Sequence, residues 1–158
     1  WTDSGLLRRT FCFRTGETSA YSPARATDGY ARPYAGPHMW VSAPLADDPA
    51  PWLELAWPEP VTLGRIEVVA DDDVNEDLIN LHHHRTPFDT LPTLLRDYRV
   101  EARDPDGAWR VIARAEDNRR RRGIHTPAAP VTTAAIRVVV EATNGAAAAH
   151  IVAVRAHQ

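Results

Sequence analysis

The chain has 158 residues, 44% of them hydrophobic, enough to fill the core of one domain. Its formal net charge of -3 supplies no positive field to hold phosphate backbones or anionic lipid, which excludes a nucleic-acid binder. All 18 basic residues are arginine and Cys12 is the single cysteine, so Schiff-base and P-loop lysines, an internal disulfide and a thiolate zinc cluster are excluded as well.

Residues 1–19 read as a linker or N-terminal edge segment, and residues 20–158 as the domain. The start at Trp1, without methionine, points to a piece cut from a longer protein. No signal peptide is visible, and no apolar run approaches the roughly 18 residues a membrane span needs. Thirteen prolines spread along the chain leave no room for a long helix. The regular signal is instead alternation at every second position. Trp52 to Trp57 alternates and is expected to end at Pro58-Glu59-Pro60, and Arg65 to Val69 sets Ile66 and Val68 on one face. Residues 71–95 form the longest non-alternating insertion, a length that in a compact domain goes with function or mobility. Tyr98, Val100 and Ala102 then alternate against Arg99, Glu101 and Arg103. After Asp104-Pro105-Asp106-Gly107, Trp109, Val111 and Ala113 alternate against Arg110 and Arg114. This predicts a hairpin, with proline presetting φ and glycine accepting a positive one.

Arg119 to Arg122 reads as an edge strand, in which Arg119 and Arg121 face away from Arg120 and Arg122. Ile136 to Ala142 turns Ile136, Val138 and Val140 one way and Arg137 and Glu141 the other. Ile151 to Arg155 is a short closing strand, apolar on both sides. Trp52, Trp57 and Trp109 are assigned to the core, and Trp40 to a structural role. Many short strands separated by turns predict an all-β sandwich or barrel.

Ala26-Thr27-Asp28-Gly29 followed by Met39-Trp40-Val41-Ser42 resembles the opening of discoidin-type modules (coagulation factor 5/8 C-domain-like). Pro51 to Leu55, Pro60 to Ile66, Leu95 to Glu101, Gly107 to Val111, Ala135 to Val140, Asn144-Gly145 and Ile151 to Arg155 are similar to later strands of that family, in order, over residues 20–156. The resemblance implies a galactose-binding-like jelly-roll β-sandwich of about eight antiparallel strands, serving as a non-catalytic binding module. A narrower likeness involves Arg32-Pro33, Asp71 to Asn75, Asp97-Tyr98 and Asn118 to His125. These are similar to a discoidin-like domain appended to bacterial FAD-dependent oxidoreductases. It implies FAD in a parent domain and none in this chain.

The residues themselves carry no Gly-x-Gly-x-x-Gly and no Gly-x-Ser-x-Gly, so neither a dinucleotide site nor a nucleophile elbow is expected, and no catalytic residue is assigned. The acidic run Asp71 to Asp77 lacks the spacing of an EF-hand. In an extended segment His82 and His84 project to one face, a geometry that suits a metal or a polar ligand. The resemblance implies a structural calcium near the Asp-Gly opening. Asp28 matches its first ligand, but Val152 and Ala153 stand where a late glutamate is expected, and the bland reading of Asp28 is a turn carboxylate. By the same resemblance, ligands are carried by loops at one end of the sandwich. The candidate ligand-binding residues are therefore Tyr30, Arg32, Tyr34, His38, Asp72, Asn75, His82, His84, Arg119 and Arg121, a mixture of aromatic faces and hydrogen-bonding groups suited to a sugar. The expected partner is a carbohydrate or, alternatively, the catalytic part of a parent oxidoreductase.

Overall fold

Aliphatic side chains at alternate positions fold into two facing sheets, as seen in a computed structural model that describes residues 21–31, 36–72 and 88–158. Among these, one 3-10 turn (Pro23–Thr27) precedes eight strands: β1 Trp40–Pro44, β2 Trp52–Leu63, β3 Arg65–Ala70, β4 Leu95–Arg103, β5 Trp109–Ala115, β6 Arg122–His125, β7 Val131–Thr143 and β8 Ala148–His157. One sheet has the order β1-β8-β3-β6 and the other β2-β7-β4-β5, with every pairing antiparallel. This is the expected all-β sandwich. The segment before residue 21 lies outside the described residues.

The inner faces supply Leu53, Leu63, Ile66, Val68, Leu95, Tyr98, Val100, Ile136, Val138, Val140 and Ile151, all fully buried. The expected stripes Ile66/Val68, Tyr98/Val100/Ala102 and Ile136/Val138/Val140 all point inward. Ile151 to Val154 is buried on both sides, because Val152 and Ala153 turn outward against Met39, Val69 and Val41. The hairpin is present, with Gly107 at φ +90° in its turn.

Three expectations are corrected. β2 does not stop at Pro58; it continues to Leu63, with an irregularity between Ala56 and Val61 that takes Pro58 and Pro60 out of the ladder on an edge strand. Trp52 and Trp109 are not core residues. Leu53 and Leu55 take the inward positions of β2, which leaves Trp52 half exposed. In β5 a bulge at Ile112, opposite Val100 and Glu101 of β4, pairs Glu101 with Val111 but Val100 with Ala113. One extra residue reverses the face, so Trp109 and Val111 lie outward with Glu101, and Ala113 lies inward. Trp57 packs partly buried against the core, and Trp40 is buried. Finally, Arg119 to Arg121 precede β6 in a turn and do not alternate along a strand.

Candidate functional site

Strands β3, β5 and β7 finish, and β2, β4, β6 and β8 begin, at the same end of the sandwich. Three of the predicted loop regions meet there. The first follows the 3-10 turn. Asp28 Oδ1 accepts the Tyr30 amide at 3.1 Å, the expected turn-forming role, and its Oδ2 lies 2.6 Å from His38 Nδ1. The ionised carboxylate therefore accepts a hydrogen bond from Nδ1–H, which fixes the tautomer. Burial pushes the Asp28 carboxyl up, but hydrogen bonds from His38 and the Tyr30 amide outweigh it and hold the pKa below the ordinary aspartate value. The half-exposed Tyr30 ring stacks on His38 with centroids 4.0 Å apart. His38 holds φ +44°, a left-handed conformation uncommon outside glycine.

Arg121 joins this loop to the second. Its guanidinium donates to the Ala31 carbonyl, and its Nε lies 3.1 Å from Asp72 Oδ2. Its own carbonyl accepts the Ala70 amide at 2.7 Å. Beside Asp72, the buried Asp71 meets His150 Nδ1 at 3.0 Å, and its carbonyl accepts Thr93 Oγ1 at 2.9 Å.

The third region is a cleft of about 460 Å³ along the seam between β5 and β6, lined by residues 115–120 together with Tyr98, Arg122, Gly123, Ile124 and His125. Arg119, Arg120 and Arg122 share it, while Arg121 turns away to Ala31 and Asp72. The turn that achieves this is built on Asn118. Its amide donates to Arg96 O (2.9 Å), its Nδ2 to Leu95 O (2.7 Å) and Arg120 O (3.0 Å), and its Oδ1 accepts the Arg120 amide (3.1 Å). Asn144 Nδ2 donates in turn to Asn118 O at 3.0 Å. Arg122 is engaged with buried Glu67 at 2.7 and 3.1 Å, whereas Arg119 reaches the exposed Asp117 at 3.5 Å. The floor is the Tyr98 hydroxyl, 3.0 Å from His125 Nε2. Burial raises the Tyr98 phenol to about 12 and lowers the His125 pKa, so both are neutral near pH 7.

Of the sequence candidates, the structure thus links Asp28, Tyr30, His38, Asp72 and Arg121, while Arg119 lines the cleft beside them. Arg32, Tyr34, Asn75, His82 and His84 lie outside the described residues. The Asp71–His150 and Tyr98–His125 pairs and the Asn118 turn were missed, since no local pattern marks partners 79 and 27 residues apart. Among the described residues no group of three or more His, Cys, Asp or Glu side chains is placed to hold a metal, and both Asp28 oxygens are already engaged. No helix among the described residues is long and apolar enough to cross a membrane.

No protein-family model and no curated protein matches the sequence. Solved structures do match. The family 32 carbohydrate-binding module of Streptococcus pneumoniae EndoD superposes with a TM-score of 0.68 at 16% identity, over 90% of this chain and 88% of its own. Chitosan-binding module 2 of a Paenibacillus sp. IK-5 chitosanase/glucanase, solved with chitotriose, gives 0.63 at 16% identity, over 90% of each chain. The family 32 module of Clostridium perfringens NanJ, solved with galactose, gives 0.61 at 17% identity, over 91% of this chain and 90% of its own. The chain therefore has the β-sandwich fold shared by these carbohydrate-binding modules.

Proposed function

We propose that the chain is a non-catalytic accessory domain that binds carbohydrate through the loop end of the sandwich. The observation that carries this reading is the gathering of three loop regions by Arg121, which sets a stacked Tyr30–His38 pair and an arginine-lined cleft on one end of a rigid scaffold. A sugar needs an apolar ring face to stack on and fixed donors and acceptors for its hydroxyls. Tyr30 offers the face, Arg119 and Arg120 offer donors, and Asp117 and Glu116 offer acceptors. Arg32, Tyr34, Asn75, His82 and His84 belong to the same loops in the sequence and are proposed as further contacts. The sugar complexes of two structural neighbours support the reading.

The sandwich neighbours favour sugar binding over packing on the catalytic part of a parent FAD-dependent oxidoreductase. A flavin-binding fingerprint in the same gene would restore that second partner. The direct test is a glycan array with the isolated domain. Retention of one glycan class, weakened in a Tyr30→Ala variant, is expected; no retention of any sugar rejects the proposal.

A further inference from the structure

The outer face of the β2-β7-β4-β5 sheet carries an ordered array that the loop-end site does not use. Arg137 Nε donates to Glu101 at 2.5 Å, Arg99 Nε donates to the other Glu101 oxygen at 2.6 Å, Arg99 also reaches Glu141, and Arg114 donates to Glu141 at 2.9 Å. Burial pushes Glu101 up, but the bonds from Arg99 and Arg137 prevail and hold it ionised. The guanidinium so fixed lies 4.4 Å from the centre of the Trp109 ring and 5.9 Å from that of Trp52. These indoles come from the two edge strands, β5 and β2, and both reach toward Arg137 on β7. Trp52 is nonetheless 50% exposed and Val111 45%.

A half-bare indole on a face whose charged groups are already paired leaves apolar surface that none of the described residues covers. Two features define what would. First, Arg99, Arg103, Arg114 and Arg137 stand among Glu101, Glu141 and Glu54, with Arg103 opposite Trp109 and Glu54 paired in register with Arg137. With one arginine in excess over the interleaved glutamates, the face has only a weak field to draw a charged partner. Second, its apolar parts are two separate patches set among charges, Trp52 on β2 and Trp109 with Val111 on β5, unlike the contiguous apolar centre of a protein interface. A ligand with apolar C–H faces and hydroxyl edges satisfies both, stacking on the indoles and bonding to the guanidinium protons and carboxylate lone pairs around them.

We propose that this sheet face is a second binding surface, for a neutral, extended saccharide chain lying across the Trp52 and Trp109 rings. The inference rests on the carbohydrate-binding reading but places the polymer on a different surface from the loop end. Affinity electrophoresis in gels containing galactan, xylan or β-glucan, with polygalacturonate and chitosan as charged controls, tests it. The wild-type domain should be retarded by at least one neutral polymer. Trp52→Ala and Trp109→Ala should each weaken that retardation, by roughly tenfold for the more important ring, while Tyr30→Ala leaves most of it. Equal retardation of wild type and both tryptophan variants overturns the second surface and leaves the loop-end reading intact. So does retardation by the charged polymers alone. No retardation of the wild type in any gel also overturns it, and the glycan array then judges the loop end separately. Amide shift mapping with a soluble oligomer of the retarding polymer removes any doubt over misfolded variants: shifts at 52, 54, 109 and 137 are required, and shifts confined to the loop end refute the assignment.

Discussion

The Tyr98 hydroxyl stands where a side chain at position 123 would begin: a Cβ built on Gly123 would lie 2.0 Å from that oxygen and 3.1 Å from His125 Nε2. Glycine is required here by close approach, because the phenol of β4 crosses to the other sheet under β6 to reach His125. Gly123→Ala should therefore destabilise the fold by about 1–3 kcal/mol, as overpacking does. Tyr98→Phe removes the clashing atom and leaves the ring carbon at 3.4 Å. The double variant should be more stable than the two single losses summed. Chemical denaturation of the four proteins measures this coupling, and strict additivity would show that the contact is absent.

The same pair makes stability depend on pH at both extremes. His125 has a lowered pKa because it is buried, so below its ordinary value of 6.5 the unfolded chain takes up a proton that the folded chain refuses. Stability then falls as the pH drops. Tyr98 has its pKa raised from 10.0 to about 12, so between these values the unfolded chain gives up a proton that the folded chain keeps, and stability falls as the pH rises. The tyrosine contribution should be on the order of 2–3 kcal/mol by pH 12. Thermal midpoints across pH should show a steeper alkaline decline for the wild type than for Tyr98→Phe, and a steeper acid decline than for His125→Gln. In an alkaline absorbance titration, one of the four tyrosines should ionise well after the ordinary range.

The sandwich was legible because alternation is a local signal: Ile136, Val138 and Val140 announce their own face whatever they pack against. The orientation of the tryptophans was not. Nothing in the run Trp109 to Ala113 marks Ile112 as the extra residue that bulges opposite Val100 and Glu101, and that single residue decides which half of the run is buried. The site was legible only as loops. Tyr30, His38, Asp72 and Arg121 were named, yet their arrangement depends on Arg121 leaving the company of its neighbours, a consequence of the Asn118 turn and not of arginine spacing.

Arg121 is the brace of the loop end, and shortening it should loosen both partners at once. Arg121→Met keeps the apolar stem but removes the donors to Ala31 and the ion pair with Asp72. A loss of about 1–3 kcal/mol is expected, since the Ala31 carbonyl loses its donor and Asp72 its counter-charge. Hydrogen exchange locates the effect: amides at 28–31 and 70–72 should exchange faster, with those of β4 and β7 unchanged. Uniform acceleration across the core would mean that Arg121 supports the whole fold and does not hold the loops in particular.

Tyr30 and His38 divide their work, and two substitutions separate it. The Tyr30 ring is half exposed, while His38 is buried beneath it and tied to Asp28 at 2.6 Å. Removing an exposed ring costs the fold little, whereas removing the buried imidazole leaves Asp28 without its strongest partner. Tyr30→Ala should thus keep the wild-type thermal midpoint within a degree or two (a change under about 0.5 kcal/mol) and weaken sugar binding by roughly tenfold, the worth of one stacked ring. His38→Ala should lower both stability and affinity, and His38→Asn, which keeps a donor toward Asp28, should recover part of the stability. Calorimetry with a retained sugar and thermal unfolding of the same proteins give the two readouts. A Tyr30→Ala domain that binds as tightly as the wild type would remove this corner from the site and leave the Arg119–Arg120 cleft as the remaining loop-end contact.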